Sequence, residues 1–136
     1  THGHPRAQVC CAIYCLWARR MLAGVPDPWT DAASTLRALY RDGSAEREAL
    51  ESHVRPDAEP AGRGSGYVVD CLGSARLALQ AGSYEAVVRA AIRLGNDTDT
   101  TACVAGGLAG LRDGLEAIPR RWRGPTRPAA PPACRC

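Results

Sequence analysis

Two carboxylates and a hydroxyl fall within four positions in Asp97-Thr98-Asp99-Thr100, inside the run Gly95-Asn96-Asp97-Thr98-Asp99-Thr100-Thr101. Small residues follow, Ala102-Cys103-Val104-Ala105-Gly106-Gly107, so the run sits where a loop turns into a closely packing helix. Side chains two apart in an extended segment point the same way. Asp97 and Asp99 are therefore expected to converge, with Thr100 following from the first helical turn. Oxygen donors of this kind suit a hard divalent cation such as Mg²⁺, Mn²⁺ or Ca²⁺ rather than zinc. Helix capping offers a simpler explanation, because Ser, Thr and Asp satisfy free N–H groups and complement the positive end of the helix dipole. One cap needs one acid, however. A second carboxylate aimed at the same space is costly unless positive charge lies between them, and that favours a metal site over a cap.

Cysteine and histidine supply a rival constellation: His2, His4, Cys10, Cys11 and Cys15. The spacing fits no standard zinc finger or ribbon, and Cys11 and Cys15 lie one helical turn apart on an apolar face. Cys10, Cys11, Cys15, Cys71 and Cys103 all stand in apolar, helix-like runs and read as buried thiols. Seven cysteines leave at least one unpaired. Without a secretion signal they point to a reduced, cytoplasmic setting.

The elements that must carry these residues are helical. Phe is absent and aromatic residues make up 5% of the 136, so the core is built from Ala, Leu and Val, which suits close helix packing better than a sheet. Pro5 opens a first helix with an apolar stripe of Val9, Ile13, Leu16, Trp17 and Met21, stopped by Gly24 and Pro26. Thr30 or Asp31 caps a second helix carrying Leu36, Leu39 and Tyr40. Ser44 starts a third that runs to about Val54. A polar Pro/Gly loop occupies 55–63. Val68, Val69, Leu72, Ala75 and Leu79 mark a fourth helix closed by Gly82. Ser83 caps a fifth, with Val87, Val88, Ala91 and Ile92 inward and Gly95 at its end. The last helix runs from the Asp97–Thr101 cluster through Leu108, Leu111 and Leu115 to Pro119.

Charge excludes one class of function. All 17 basic residues are Arg, and five of them (Arg120, Arg121, Arg123, Arg127 and Arg135) fall after position 119, where no acid stands. Residues 1–119 hold 12 Arg against 14 acidic residues, a balance of −2 despite a chain total of +3. No basic stripe tracks phosphates, so nucleic acid is not expected as a partner. No stretch reaches the length of a membrane span. Pro- and Ala-rich residues 124–136 read as a disordered tail behind a domain at 1–123. The first residue is Thr1, which suggests a fragment.

Three segments in order now form a set: Thr1-His2-Gly3-His4-Pro5, then Gly64-Ser65-Gly66-Tyr67-Val68-Val69-Asp70, then Gly95-Asn96-Asp97-Thr98-Asp99-Thr100. With the Gly106–Gly110 run behind them, they resemble the C-terminal half of the ADP-ribosylglycohydrolases, the family that includes dinitrogenase reductase-activating glycohydrolase. The resemblance runs from Thr1 to about Arg123. It implies an all-α, orthogonal helical domain with a binuclear Mg²⁺ or Mn²⁺ centre. It also implies hydrolysis of the bond joining ADP-ribose to a protein side chain or small acceptor, with a monomer expected.

Carried over, the resemblance makes Asp97, Asp99 and Thr100 metal ligands. His2 and His4 become part of the ribose and phosphate side of the cleft, and Gly64, Ser65, Gly66 and Tyr67 the loop that closes on the nucleotide. Glycines at 64 and 66 would let backbone N–H groups approach a pyrophosphate, although such a run taken alone is an ordinary flexible loop. His2 and His4, taken alone, are ordinary surface residues before a helix. The Asp-Asp-Thr-like cluster that completes the family's centre, and the acid that orients the attacking water, belong to the N-terminal half. No two acidic residues are adjacent in this chain. A non-catalytic ADP-ribose-binding or structural member of the same fold is therefore the alternative.

Overall fold

Proline opens the first two helices of the computed structural model, which describes residues 3–124. Helix α1 (Pro5–Leu22) and helix α2 (Pro28–Leu39) each begin on a proline, whose missing N–H costs nothing in the first turn. α2 is capped by the Asp27 side chain, which accepts from the Thr30 N–H, and not by Thr30 or Asp31. Asp31 instead lies in the first turn and pairs with Arg20 of α1. Ser44 caps the short helix α3 (Ala45–Glu48), which widens into a π-helical segment, Ala49–Val54, ended by Arg55 in the left-handed region. Residues 55–67 form a loop without regular secondary structure. Helix α4 (Val68–Leu79), helix α5 (Tyr84–Arg93) and helix α6 (Thr98–Asp113) follow, then single 3₁₀ turns at Leu115–Ala117 and Arg120–Trp122. No strand occurs among the described residues, and the fold is all-α.

Two cores hold the helices. The first joins Val9, Ile13 and Trp17 of α1 to Ala32, Ala33 and Leu36 of α2, Ala49 and Leu50 of the π segment, Leu72 of α4 and Leu108 of α6. Trp17 meets Trp29 edge-on at 4.9 Å between ring centres, and the Arg76 guanidinium covers the other ring at 4.0 Å. The second core is a seam of small side chains: Ala75 and Ala78 from α4, Val87 and Ala91 from α5, Ala105 and Ala109 from α6. Alanine there lets three helix backbones approach closely, which is what a chain without Phe needs to exclude water.

Several expected positions lie elsewhere. Leu39 (72% exposed) and Ile92 (49%) sit in the last turns of α2 and α5, outside the core. α6 stops at Asp113, where Gly114 adopts φ +80°, so Leu115 falls beyond the helix and is exposed, and Leu111 in its last turn is exposed as well. Cys10 and Cys71 are buried, whereas Cys11, Cys15 and Cys103 are exposed. The apolar runs carrying those three belong to faces of α1 and α6 that nothing covers among the described residues. The proposed tail at 124–136, apart from Gly124, and residues 1–2 lie outside the described residues. No helix among the described residues is long and apolar enough to cross a membrane.

Candidate metal and nucleotide site

Asp97 is the N-cap of α6, and Thr98, Asp99 and Thr100 are its first three residues. The segment is therefore not extended through Asp99, as the two-residue spacing suggested. The carboxylates still meet, because a cap side chain folds back over the first turn. Asp97 Oδ1 accepts from the Thr100 backbone N–H at 3.4 Å. The Thr100 hydroxyl and the neighbouring Asp99 carboxyl hold the Asp97 carboxyl below the usual carboxylate range. The ionised form of Asp97 is thus favoured at the mouth of the helix. Just inside it, the Thr101 hydroxyl is fully buried without a hydrogen-bond partner, although the Cys71 thiol lies near it.

The loop from Gly62 to Tyr67 is laid directly against this cluster. Asp97 N–H donates to the Gly64 carbonyl at 2.9 Å, and Asn96, itself left-handed at φ +57°, donates from Nδ2 to the Arg63 carbonyl at 2.9 Å. Gly64 has φ +72°, and a Cβ there would stand 2.8 Å from both the Gly95 carbonyl oxygen and Leu94 Cβ. A Cβ at Gly66 would overlap Asp97 Oδ2. The approach of two chain segments therefore requires glycine at 64, whereas a Cβ at 66 would meet only the end of the Asp97 side chain.

The other side of the loop is tied to α4. Asp70, at the third position of that helix, accepts from the Ser65 N–H at 2.8 Å, the Ser65 hydroxyl at 2.8 Å and the Arg63 N–H at 3.1 Å. Burial works against ionisation of Asp70, but the Ser65 and Arg63 donors outweigh it and lower its pKa. Ser74 Oγ, fully buried, accepts from the Gly64 N–H at 2.9 Å. The role of Asp70 and Ser74 was missed in the spacing alone. One signal was present: an acid three residues into a helix behind a Gly/Ser loop is the second half of a capping box, here reaching past the Tyr67 N-cap to Ser65, two residues further upstream.

Tyr67 and His4 meet through Arg6. The Arg6 guanidinium donates to the Tyr67 hydroxyl at 3.1 Å, while His4 caps α1 by accepting the Arg6 N–H on Nδ1 at 3.2 Å. These residues line a groove of about 750 Å³ between α1, α4 and α6 that reaches Thr100 and Gly66 and is floored by Tyr14, Cys71 and Leu72. That volume and its mainly apolar lining suit a ligand of nucleotide size. Of the expected site residues, Asp97, Asp99, Thr100, Gly64, Ser65 and Gly66 form one cluster. His4 and Tyr67 stand at the adjoining groove. His2 lies outside the described residues.

The donor chemistry fits a hard cation, with two carboxylates and a hydroxyl at one helix mouth, although a Mg²⁺ or Mn²⁺ ion demands about six oxygens. Among the described residues no group of three or more His, Cys, Asp or Glu side chains is arranged to hold a metal ion. Further oxygens must come from water, substrate or other protein.

The ADP-ribosylhydrolase ARH3 of Danio rerio is 43% identical over 42 residues, which is 31% of this chain and 11% of that protein. The aligned stretch thus covers about a tenth of the relative's length. No solved structure matches the chain significantly. The family description ADP-ribosylglycohydrolase, in contrast, matches residues 1–132, and on that match the chain belongs to the ADP-ribosylglycohydrolase family.

Proposed function

We propose that this chain carries one wall of a divalent-cation site in a hydrolase that cleaves the glycosidic bond between ADP-ribose and a protein side chain or small acceptor. The observation that carries the reading is the meeting of Asp97, Asp99 and Thr100 at the end of a nucleotide-sized groove. Asp97, Asp99 and Thr100 would hold Mg²⁺ or Mn²⁺. Such an ion, when bound, supplies Lewis acidity toward ribose oxygens and orients a water.

The chain's own residues do the remaining work. At the start of α6 the Asp97 carboxylate accepts the Thr100 N–H on one oxygen and keeps the other toward Gly66. Arg6 places a positive charge at the groove, where a phosphate of the nucleotide would be neutralised. Gly66 and Thr100, which both neighbour the Asp97 carboxylate, also line the groove.

In the full-length protein, release of ADP-ribose from an ADP-ribosylated substrate should require Mg²⁺ or Mn²⁺ and stop with EDTA. Asp99→Ala, which leaves the Asp97 cap intact, should lower turnover by at least about 100-fold, as loss of a ligand exceeds the usual cost of an outer-shell change. Undiminished, EDTA-insensitive turnover would refute the reading. Metal-independent binding of ADP-ribose without hydrolysis would instead support a non-catalytic binding protein.

A further inference from the structure

The 62–67 loop stands between two acids of different standing. On one side, a Cβ at Gly66 would overlap Asp97 Oδ2, so any side chain there would have to turn that carboxylate aside. On the other, Asp70 collects three donors from Arg63 and Ser65, and Ser74 a fourth from Gly64. Asp70 touches neither Asp99 nor Thr100 through any hydrogen bond. Four donors facing two acceptors on one helix leave the loop little freedom to lift. Wherever the loop is held, the Asp97 carboxylate is confined between Gly66 and the first turn of α6.

We infer that Asp70 is a positioning residue for the cation site: by clamping Arg63 and Ser65 it holds Gly66 against Asp97 and restricts that carboxylate to the rotamer that meets Asp99 and Thr100. This rests on the proposed cation site, and it assigns to α4 a part in building a site whose donors all sit on α6. Three geometric facts carry it. Asp70 is the acceptor for both residues flanking Gly64. Gly64 itself is fastened to the backbone of Asp97. Gly66 is the residue that limits Asp97. The chain of contact starts at the Asp70 carboxyl, runs through the backbone of residues 63–66 and ends on the Asp97 side chain. Asparagine at position 70 would keep the shape but turn an NH₂ toward one of the donors, so the clamp would open while the helix remained.

Two variants of the chain separate cause from general loosening. Asp70→Asn should speed hydrogen exchange of the Arg63 and Ser65 amides, change the ¹³Cγ shift of Asp97, and weaken Mn²⁺ binding by about 10-fold or more, read by electron paramagnetic resonance. Gly66→Ala should leave those two amides protected yet move the same Asp97 signal and weaken Mn²⁺ alike, because it displaces the carboxylate with the clamp closed. A core variant such as Leu36→Ala, with an equal or larger loss in Tm, should leave the Asp97 signal where it is. If Asp70→Asn opens the amides but leaves the Asp97 signal and Mn²⁺ affinity unchanged, the positioning role is wrong. If Asp70→Asn leaves the amides closed, the clamp itself is wrong. A wild-type chain that takes up no Mn²⁺ while Asp97 still responds to both variants overturns the cation reading and upholds the clamp.

Discussion

A thiol's surroundings decide its chemistry more than its place in a sequence pattern does. Cys10 is buried between α1 and its neighbours, and that burial, with Cys11 and Cys71 nearby, pushes its thiol up from 9.0 to about 12. Cys71 is raised in the same direction, burial again being the largest cause. Cys11, Cys15 and Cys103 face solvent. Iodoacetamide at pH 8 followed by peptide mass spectrometry should therefore modify Cys11, Cys15 and Cys103 in the folded chain and spare Cys10 and Cys71 until denaturant is added. The linkage has a definite sign. A group whose pKa is raised on folding contributes fully below its unfolded value and loses that contribution as pH rises toward the folded one. Urea midpoints should accordingly fall between pH 9 and about 12, and Cys10→Ala should flatten that decline. The apolar runs around these residues were legible, but which face of α1 or α6 meets a neighbour was not, since that depends on what packs there.

Helix boundaries show where local rules suffice and where they do not. Pro5, Ser44, Ser83 and Asp97 act at the starts expected of them, because N-cap chemistry is confined to three or four residues. α6 ends six residues before Pro119, since the leucine spacing continued past Gly114 while the backbone turned away. The 55–67 loop was legible as a loop, but not as a strap between α4 and α6. Its ties run across 33 positions from Asn96 to Arg63, beyond the reach of any short pattern. Gly64 tests the strap at the level of the element. Alanine there must adopt φ +72° and also force apart Gly95 and Leu94, so Gly64→Ala should cost about 2 kcal/mol or more in urea unfolding. Gly82→Ala has the same sign of φ but open space around it, and should cost about half as much.

Across the molecule, the two cores differ in how they tolerate change. The α1–α2 core is built from large side chains and the α4–α5–α6 seam almost wholly from alanine. Ala105→Leu at that seam should lose about 1–3 kcal/mol by overpacking, measured as a lowered Tm, since three backbones must separate to admit it. The all-α architecture and its alanine-rich packing were readable from composition, because a chain without Phe has few other ways to fill an interior. The division into two cores was not readable, as it depends on how α4 and α6 share their faces. The amides of Arg63, Gly64 and Ser65 and the carbonyls of Arg63 and Gly64 are already bonded to α4 and to residues 96–97, so an ion arriving at the aspartates would find that part of the strap already ordered. Calorimetry of such an event should record a small heat-capacity change and a favourable entropy from released hydration water, the signature of a rigid receptor rather than of folding upon association.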